Sequence, residues 1–232
     1  MIQFDQLCER ALAIGLSIRG AFHPEPGEFD DTIPGVRIGT IALLGFTGSA
    51  QWKFFKNSSE AHDGAPHPLD RWSHRAAGSL ARELDARDFY PDEISAPALA
   101  FQRLALRGEC VHQSPIGLLI HGNWGLWHAY RAGLVLPDRI ELPPIAPSAH
   151  PCAECAARPC LSSCPVQAFR TNLFDIAACV GHVLSEAGYE CRENGCLARR
   201  SCPVGAQFTY VPDQMRFHMS AFLRSTRAPD AA

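Results

Sequence analysis

Lysine is almost missing from this chain of 232 residues. It occurs only as Lys53 and Lys56, so nearly all the positive charge is arginine, and the formal net charge is −3 with histidine neutral. With so little basic surface to neutralise phosphates, nucleic acid is not expected as the main partner. No run of 18 or more apolar residues exists, which excludes a membrane-spanning helix of ordinary length. The opening Met-Ile-Gln-Phe-Asp-Gln-Leu-Cys has no basic stretch followed by an apolar one, so a cytoplasmic protein with reduced thiols is expected. Full G-x-G-x-x-G and G-x-x-x-x-G-K-[ST] phosphate loops are absent, and so is a Gly-x-Ser-x-Gly elbow.

Cysteine, by contrast, is concentrated. Eight of the ten cysteines fall between Cys152 and Cys202, and two of them directly precede proline. The first run is Cys152-Ala-Glu-Cys155-Ala-Ala-Arg-Pro-Cys160-Leu-Ser-Ser-Cys164-Pro165; the second is Cys179, Cys191, Cys196 and Cys202-Pro203. In two-cluster ferredoxins, three close cysteines hold one [4Fe–4S] cluster and the cysteine before proline ligates the other. That exchange assigns Cys152, Cys155, Cys160 and Cys202 to cluster one. It assigns Cys164, Cys179, Cys191 and Cys196 to cluster two.

Two other readings use the same thiols. Disulfides suit small secreted chains and do not suit a reducing compartment. Two zinc ions, each with four cysteines, would make a zinc-stabilised interaction protein, but zinc has no need of a repeated Cys-Pro. The doubled Cys-Pro favours clusters. The spacers are longer than the ferredoxin pattern, with four residues between Cys155 and Cys160 and eleven between Cys179 and Cys191. Loops of that length bulge outward while the sulfurs still converge. Cys8 and Cys110 lie outside the runs and read as small buried side chains.

The proline-rich stretch Leu142-Pro143-Pro144-Ile145-Ala146-Pro147-Ser148 reads as a stiff connector. The expected fold is α+β: a mixed α/β domain over 1–143, then a small ferredoxin-like two-cluster domain with short helices over 148–210, then a C-terminal helix and tail over 211–232. In the first domain, apolar spacing predicts helices over 4–14, 48–60 and 69–84 and a buried strand over 38–46. Residues 116–120 and 126–136 read as two strands joined at Gly122-Asn123. Past residue 150, helices are expected over 165–169, 173–185, 203–208 and 213–223.

The cysteine runs and the segment before them resemble the epoxyqueuosine reductase family. The match includes Cys164-Pro165-Val-Gln-Ala168, Asp175 ahead of Cys179, and Ser114-Pro-Ile-Gly117-Leu-Leu-Ile-His121-Gly-Asn-Trp124-Gly125. The resemblance covers about residues 114–208. It implies two [4Fe–4S] clusters behind an α/β domain resembling flavin- and corrinoid-binding folds. The family's proton-donating aspartate, expected in a short Asp-Ser/Thr-Gly-Pro stretch, has no counterpart between Phe101 and Pro115. The resemblance therefore does not carry tRNA-modifying activity with it.

The leading expectation is a two-cluster electron-transfer protein with a redox protein as partner. The rival is an oxidoreductase whose clusters feed cobalamin or flavin held by the first domain. Among the histidines, His121 and His128 flank the Gly-Asn-Trp-Gly turn with Tyr130 and Arg131 nearby. They form either a cofactor-facing rim or the solvated face of a hairpin, and the hairpin is favoured. Gly45-Phe-Thr-Gly48-Ser49 could offer amides to an anion, and Asp70, Arg71 and Arg75 read as a surface network.

Overall fold

The structure, a computed structural model, describes residues 2–93, 99–170 and 173–226. The expected tail over 227–232 lies outside the described residues. In chain order the elements are α1 (Phe4–Ala13), β1 (Ser17–Phe22), β2 (Thr40–Thr47), α2 (Trp52–Lys56), α3 (Pro68–Glu83), β3 (Arg87–Phe89), α4 (Phe101–Gly108), β4 (Val111–Gln113), β5 (Leu119–His121) and β6 (His128–Leu136). There follow α5 (Pro159–Ser162), β7 (Phe169–Arg170), β8 (Leu173–Phe174), α6 (Ile176–Leu184), α7 (Tyr189–Asn194), α8 (Leu197–Arg200) and α9 (Pro212–Ser225). The class is α+β, with antiparallel sheets throughout.

The chain divides into two compact units, each made of two stretches. One comprises Met1–Cys110 and His128–Ser148; the other comprises Val111–Trp127 and Ala149–Ala232. The proline-rich connector is therefore the last of several crossings rather than the single boundary expected near residue 143. Residues 111–127 belong with the cysteines.

The first unit is built on a sheet in the order β1-β2-β6-β3. All of β2 up to Phe46 is buried, as a continuous apolar run requires when both faces are covered. α3 buries Leu69, Trp72, Ala76, Ala77 and Leu80, its i, i+3, i+4 stripe, and Trp72 meets Phe46 and Phe55 at ring distances of 5.8 and 6.1 Å. Proline at its first position starts this helix at no hydrogen-bond cost. Deeper in the unit, Arg19 of β1 forms a buried ion pair with Glu109, whose second oxygen accepts from the Tyr130 hydroxyl at 2.7 Å. Burial pushes the Glu109 carboxyl up, and the Arg19 guanidinium opposes that push.

Several local expectations change. The helix expected over 48–60 is the short α2 followed by a 3-10 turn at Ser59–Ala61. The expected hairpin over 116–136 does not form: β5 pairs with β4, while β6 pairs with β2 and β3. Only a single bridge, His121 to Gly125, survives across the Gly122-Asn123 turn. In the second unit, 165–169 is a turn leading into β7, and Leu173–Phe174 is a strand before α6 begins. Residues 203–208 contribute a 3-10 turn at Ala206–Phe208. Helix α6 starts at Asp175, whose carboxylate accepts from the Ala178 amide at 2.9 Å.

Candidate metal centre

In the second unit, the first cysteine run is laid out by turns and one short helix. Cys152 follows Pro151, and its amide donates to His150 Nδ1 at 3.1 Å. Arg158 takes a left-handed conformation (φ 39°) just before α5, which carries Cys160. Cys164 follows that helix, and its sulfur accepts from the Ala168 amide at 3.3 Å. The second run is helical: Cys179 lies on α6, Cys191 on α7, Cys196 just before α8, and Cys202 just after it.

The thiols fall into two groups that perturb one another. Burial first, then Cys202, Cys160 and Cys155, push the Cys152 thiol up, with Arg158 opposing. Cys160 is raised by burial, then by Cys202 and Cys155. Cys202 is raised by burial and by Cys155. Separately, Cys179 is pushed up to about 11 by burial, then by Cys196, Cys164 and Cys191. Cys196 is raised by burial, then by Cys191 and Cys164. Each group thus contains one member from the other run: Cys202 stands with the first three cysteines, and Cys164 with the later ones. Among the described residues, no three His, Cys, Asp or Glu side chains converge closely enough to hold a single metal ion.

A small cavity lies among Cys152, Cys155, Cys160 and Cys202, walled also by Ile120 and Val204. Ile116, Ile120 and Leu126 pack with Cys160, Ala198 and Cys202 in one apolar cluster, so residues 111–127 supply part of the wall around this group. Arg199 fastens that segment down. Its Nε and Nη2 donate to the Leu126 carbonyl at 3.1 and 2.6 Å. Its guanidinium lies 4.7 Å from the Trp127 ring and 4.6 Å from the Tyr210 ring. Gly125 (φ +55°) lies so close to Val204 that a Cβ there would stand 1.8 Å from the Val204 carbonyl oxygen. Backbone therefore touches backbone just beyond Cys202-Pro203.

Cys8 and Cys110 belong to the first unit and are half-buried rather than buried as expected. Cys110 pairs its sulfur with the Ser148 hydroxyl at 3.2 Å. His121 belongs to the second unit and His128 to the first. His121 accepts the Asn123 and Trp124 amides at 3.0 and 3.2 Å and stacks on Trp124, while His128 is buried in β6 of the other unit. The Asp70, Arg71 and Arg75 network is real, but its partners are Arg131, Asp63 and Glu60. At Gly45–Ser49, the Thr47 amide is taken by Gln51 at 3.2 Å, and the following helix is too short to cradle an anion.

Sequence reasoning missed a half-open cleft of about 950 Å³ in the same unit, whose walls include Ser114, Cys152, Arg158, Phe169, Arg170 and Phe174. Its residues are scattered over some sixty positions of sequence, and no local spacing marks them.

The fold is that of an α+β protein whose second unit gathers thiols into two groups. No protein-family model matches the chain, and no curated protein matches it in sequence. Among solved structures, it is similar to epoxyqueuosine reductase from Streptococcus thermophilus, at 13% identity and a TM-score of 0.50, over 92% of this chain and 70% of that one. It is also similar to an epoxyqueuosine reductase carrying an epoxyqueuosine-modified tRNA-Tyr stem loop, at 16% identity and a TM-score of 0.46. That match covers 92% of this chain and 64% of the other. The Bacillus subtilis epoxyqueuosine reductase matches at 16% identity and a TM-score of 0.43, over 90% and 60%. The chain has the fold of the epoxyqueuosine reductases and spans between 60% and 70% of their length.

Proposed function

We propose that this chain is an iron–sulfur protein that holds two [4Fe–4S] clusters and passes single electrons to or from a redox protein. The exchange of Cys202 and Cys164 between the two groups of thiols carries the reading. It is the arrangement that two swapped ferredoxin-type runs require, and a zinc module has no use for it. The donor chemistry fits, with four sulfurs to each group. Cys152, Cys155, Cys160 and Cys202 would hold one cluster; Cys164, Cys179, Cys191 and Cys196 would hold the other. A bound cluster supplies one-electron redox chemistry at a potential tuned by charge, hydrogen bonds and exposure.

The chain's own residues set those conditions. Ile116, Ile120 and Leu126 keep water from the first group. Amides of Arg199 and Ala198 donate to Cys196, and the Val204 amide donates to Cys202, favouring thiolates that burial alone would disfavour. Anaerobic purification should give a brown protein with about eight irons and eight sulfides per chain, absorbing near 400 nm and bleaching on reduction. A colourless protein carrying about two zinc ions would overturn the proposal. The formal charge of −3 argues against nucleic acid, whereas one solved neighbour holds a tRNA stem loop. Filter binding of the metal-loaded protein to an RNA stem loop at physiological salt decides that point.

The second reading is an oxidoreductase in which the clusters feed an organic cofactor, cobalamin or flavin. The cleft beside Cys152 favours it over a bare electron carrier. The walls of that cleft offer cationic and aromatic groups, which suit a flat anion and carry nothing specific to a corrinoid.

A further inference from the structure

We infer that the cleft beside Cys152 binds a planar heterocycle bearing a phosphate, a ligand of about the size of flavin mononucleotide. The first observation is charge. Arg158 and Arg170 both line the cleft, and among the described residues its walls contain no aspartate or glutamate and no ion pair uses either arginine. Guanidinium forks recognise phosphate in a bidentate manner, and two of them suit a dianion better than a single carboxylate. The cleft is thus a local positive site in a chain that is negative as a whole.

The second observation is a flat wall. Phe169 of β7 and Phe174 of β8 are a cross-strand pair whose rings lie 4.9 Å apart and 10° from parallel. A heterocycle lying against such rings gains contact area and offset stacking. The third is an orphan. Ser114 is 6% exposed and lines the cleft, yet its hydroxyl has no hydrogen-bond partner. Buried hydroxyls are normally paired, so this one, shielded from solvent in the cleft wall, has a hydrogen bond still to make. A volume of about 950 Å³ is ample for a ring system, a short polyol or ribose and a phosphate.

Cys152, Pro115 and Arg158 also wall the small cavity among the first four thiols. A ligand in the cleft would therefore abut that group. The binding itself does not depend on the metal reading; only a role as electron acceptor rests on it.

The test is titration of the full, anaerobically purified, metal-loaded chain with flavin mononucleotide, followed by quenching of flavin fluorescence. Riboflavin, adenosine monophosphate and inorganic phosphate serve as further arms. Micromolar binding is expected for flavin mononucleotide, weakened about tenfold or more in Arg170→Gln and several-fold in Ser114→Ala. Riboflavin should bind at least about tenfold more weakly. If adenosine monophosphate binds more tightly than flavin mononucleotide with the same dependence on Arg170, the shared chemistry holds and the ligand is a nucleotide. Failure of both phosphorylated ligands to bind, equal binding of riboflavin, or binding indifferent to Arg170→Gln would overturn the inference. Iron analysis of the same samples separates the two ideas: full iron without ligand binding sinks the cleft alone, and ligand binding without iron sinks the cluster reading alone.

Discussion

Replacing Gly125 with alanine tests the junction that closes the cysteine unit. At φ +55° an L-residue costs about 1–2 kcal/mol relative to glycine. The added Cβ would also stand 1.8 Å from the Val204 carbonyl oxygen, an overlap that only backbone movement relieves. Overpacking of this kind typically costs about 1–3 kcal/mol, so the total is about 2–5 kcal/mol. In a chain of this size that corresponds to a fall in Tm of roughly 4–20 °C. Because Val204 lies two residues beyond Cys202, the same shift should loosen the first group of thiols and lower iron content. Gly117→Ala is the matched control. It too has a left-handed backbone (φ +79°), but nothing lies within 4 Å of its added Cβ, so only the strain of about 1–2 kcal/mol applies. Thermal unfolding by circular dichroism and iron per chain are measured on both variants and the parent. Gly125→Ala matching Gly117→Ala in Tm and iron content would refute the argument from close approach.

Cys202→Ala should abolish the paramagnetic signal of the cluster held by Cys152, Cys155 and Cys160, and Cys164→Ala that of the other; losses that followed sequence neighbourhood would contradict the exchange. A fragment starting at Pro144 lacks Ile116, Ile120, Leu126 and Trp127 and should lose iron in air within minutes while the whole chain does not, which absorbance near 400 nm follows. Arg19→Met should cost about 3–5 kcal/mol by stranding the buried Glu109, whereas Arg19→Met with Glu109→Leu should recover most of it, as urea unfolding of both variants would read. Arg75, 2.5 and 2.9 Å away, holds Glu60 down at about 2 from an ordinary 4.5, so the pair stabilises above pH 4.5 and is lost as pH falls toward 2. Glu60→Gln should cost about 1 kcal/mol at pH 7, discounted for the exposure of Arg75, and the gap to the parent should close on acidification.

Periodicity made α3 and β2 legible, because Leu69, Trp72, Ala76 and Leu80 repeat at helical spacing and Ile41–Leu44 is unbroken apolar strand. What it could not supply was pairing. The Gly122-Asn123 signal points to a hairpin, but His121 caps that turn with its own ring nitrogen and leaves a single bridge. β6 instead pairs across the sheet with β2, far back in sequence. The wide gap between Cys179 and Cys191 was similarly opaque: the rest of α6, a 3-10 turn and the start of α7 fill it, and helical residues leave no turn signature. The Cys-Pro repeats suggest two sets of four thiols, an assignment that the iron analysis and the Cys202 and Cys164 variants test. The cleft could not be read from the sequence, since Ser114 and Arg170 become neighbours only through folding.

Arg199 and the Leu126 carbonyl it grips are 73 residues apart in the chain. At ribosomal speeds of about 5–20 residues per second, the strip Ile116–Trp127 waits about 4–15 s for the residues that cover it. Over that interval Cys160, Leu161 and Phe169, which also pack on the strip, are made before Ala198 and Cys202 are, and the first three cysteines emerge before Cys202 does. On the proposed reading, iron delivered early would meet an incomplete set of sulfurs. On that reading, the first cluster would therefore have to wait for Cys202, the last of its four sulfurs to be made.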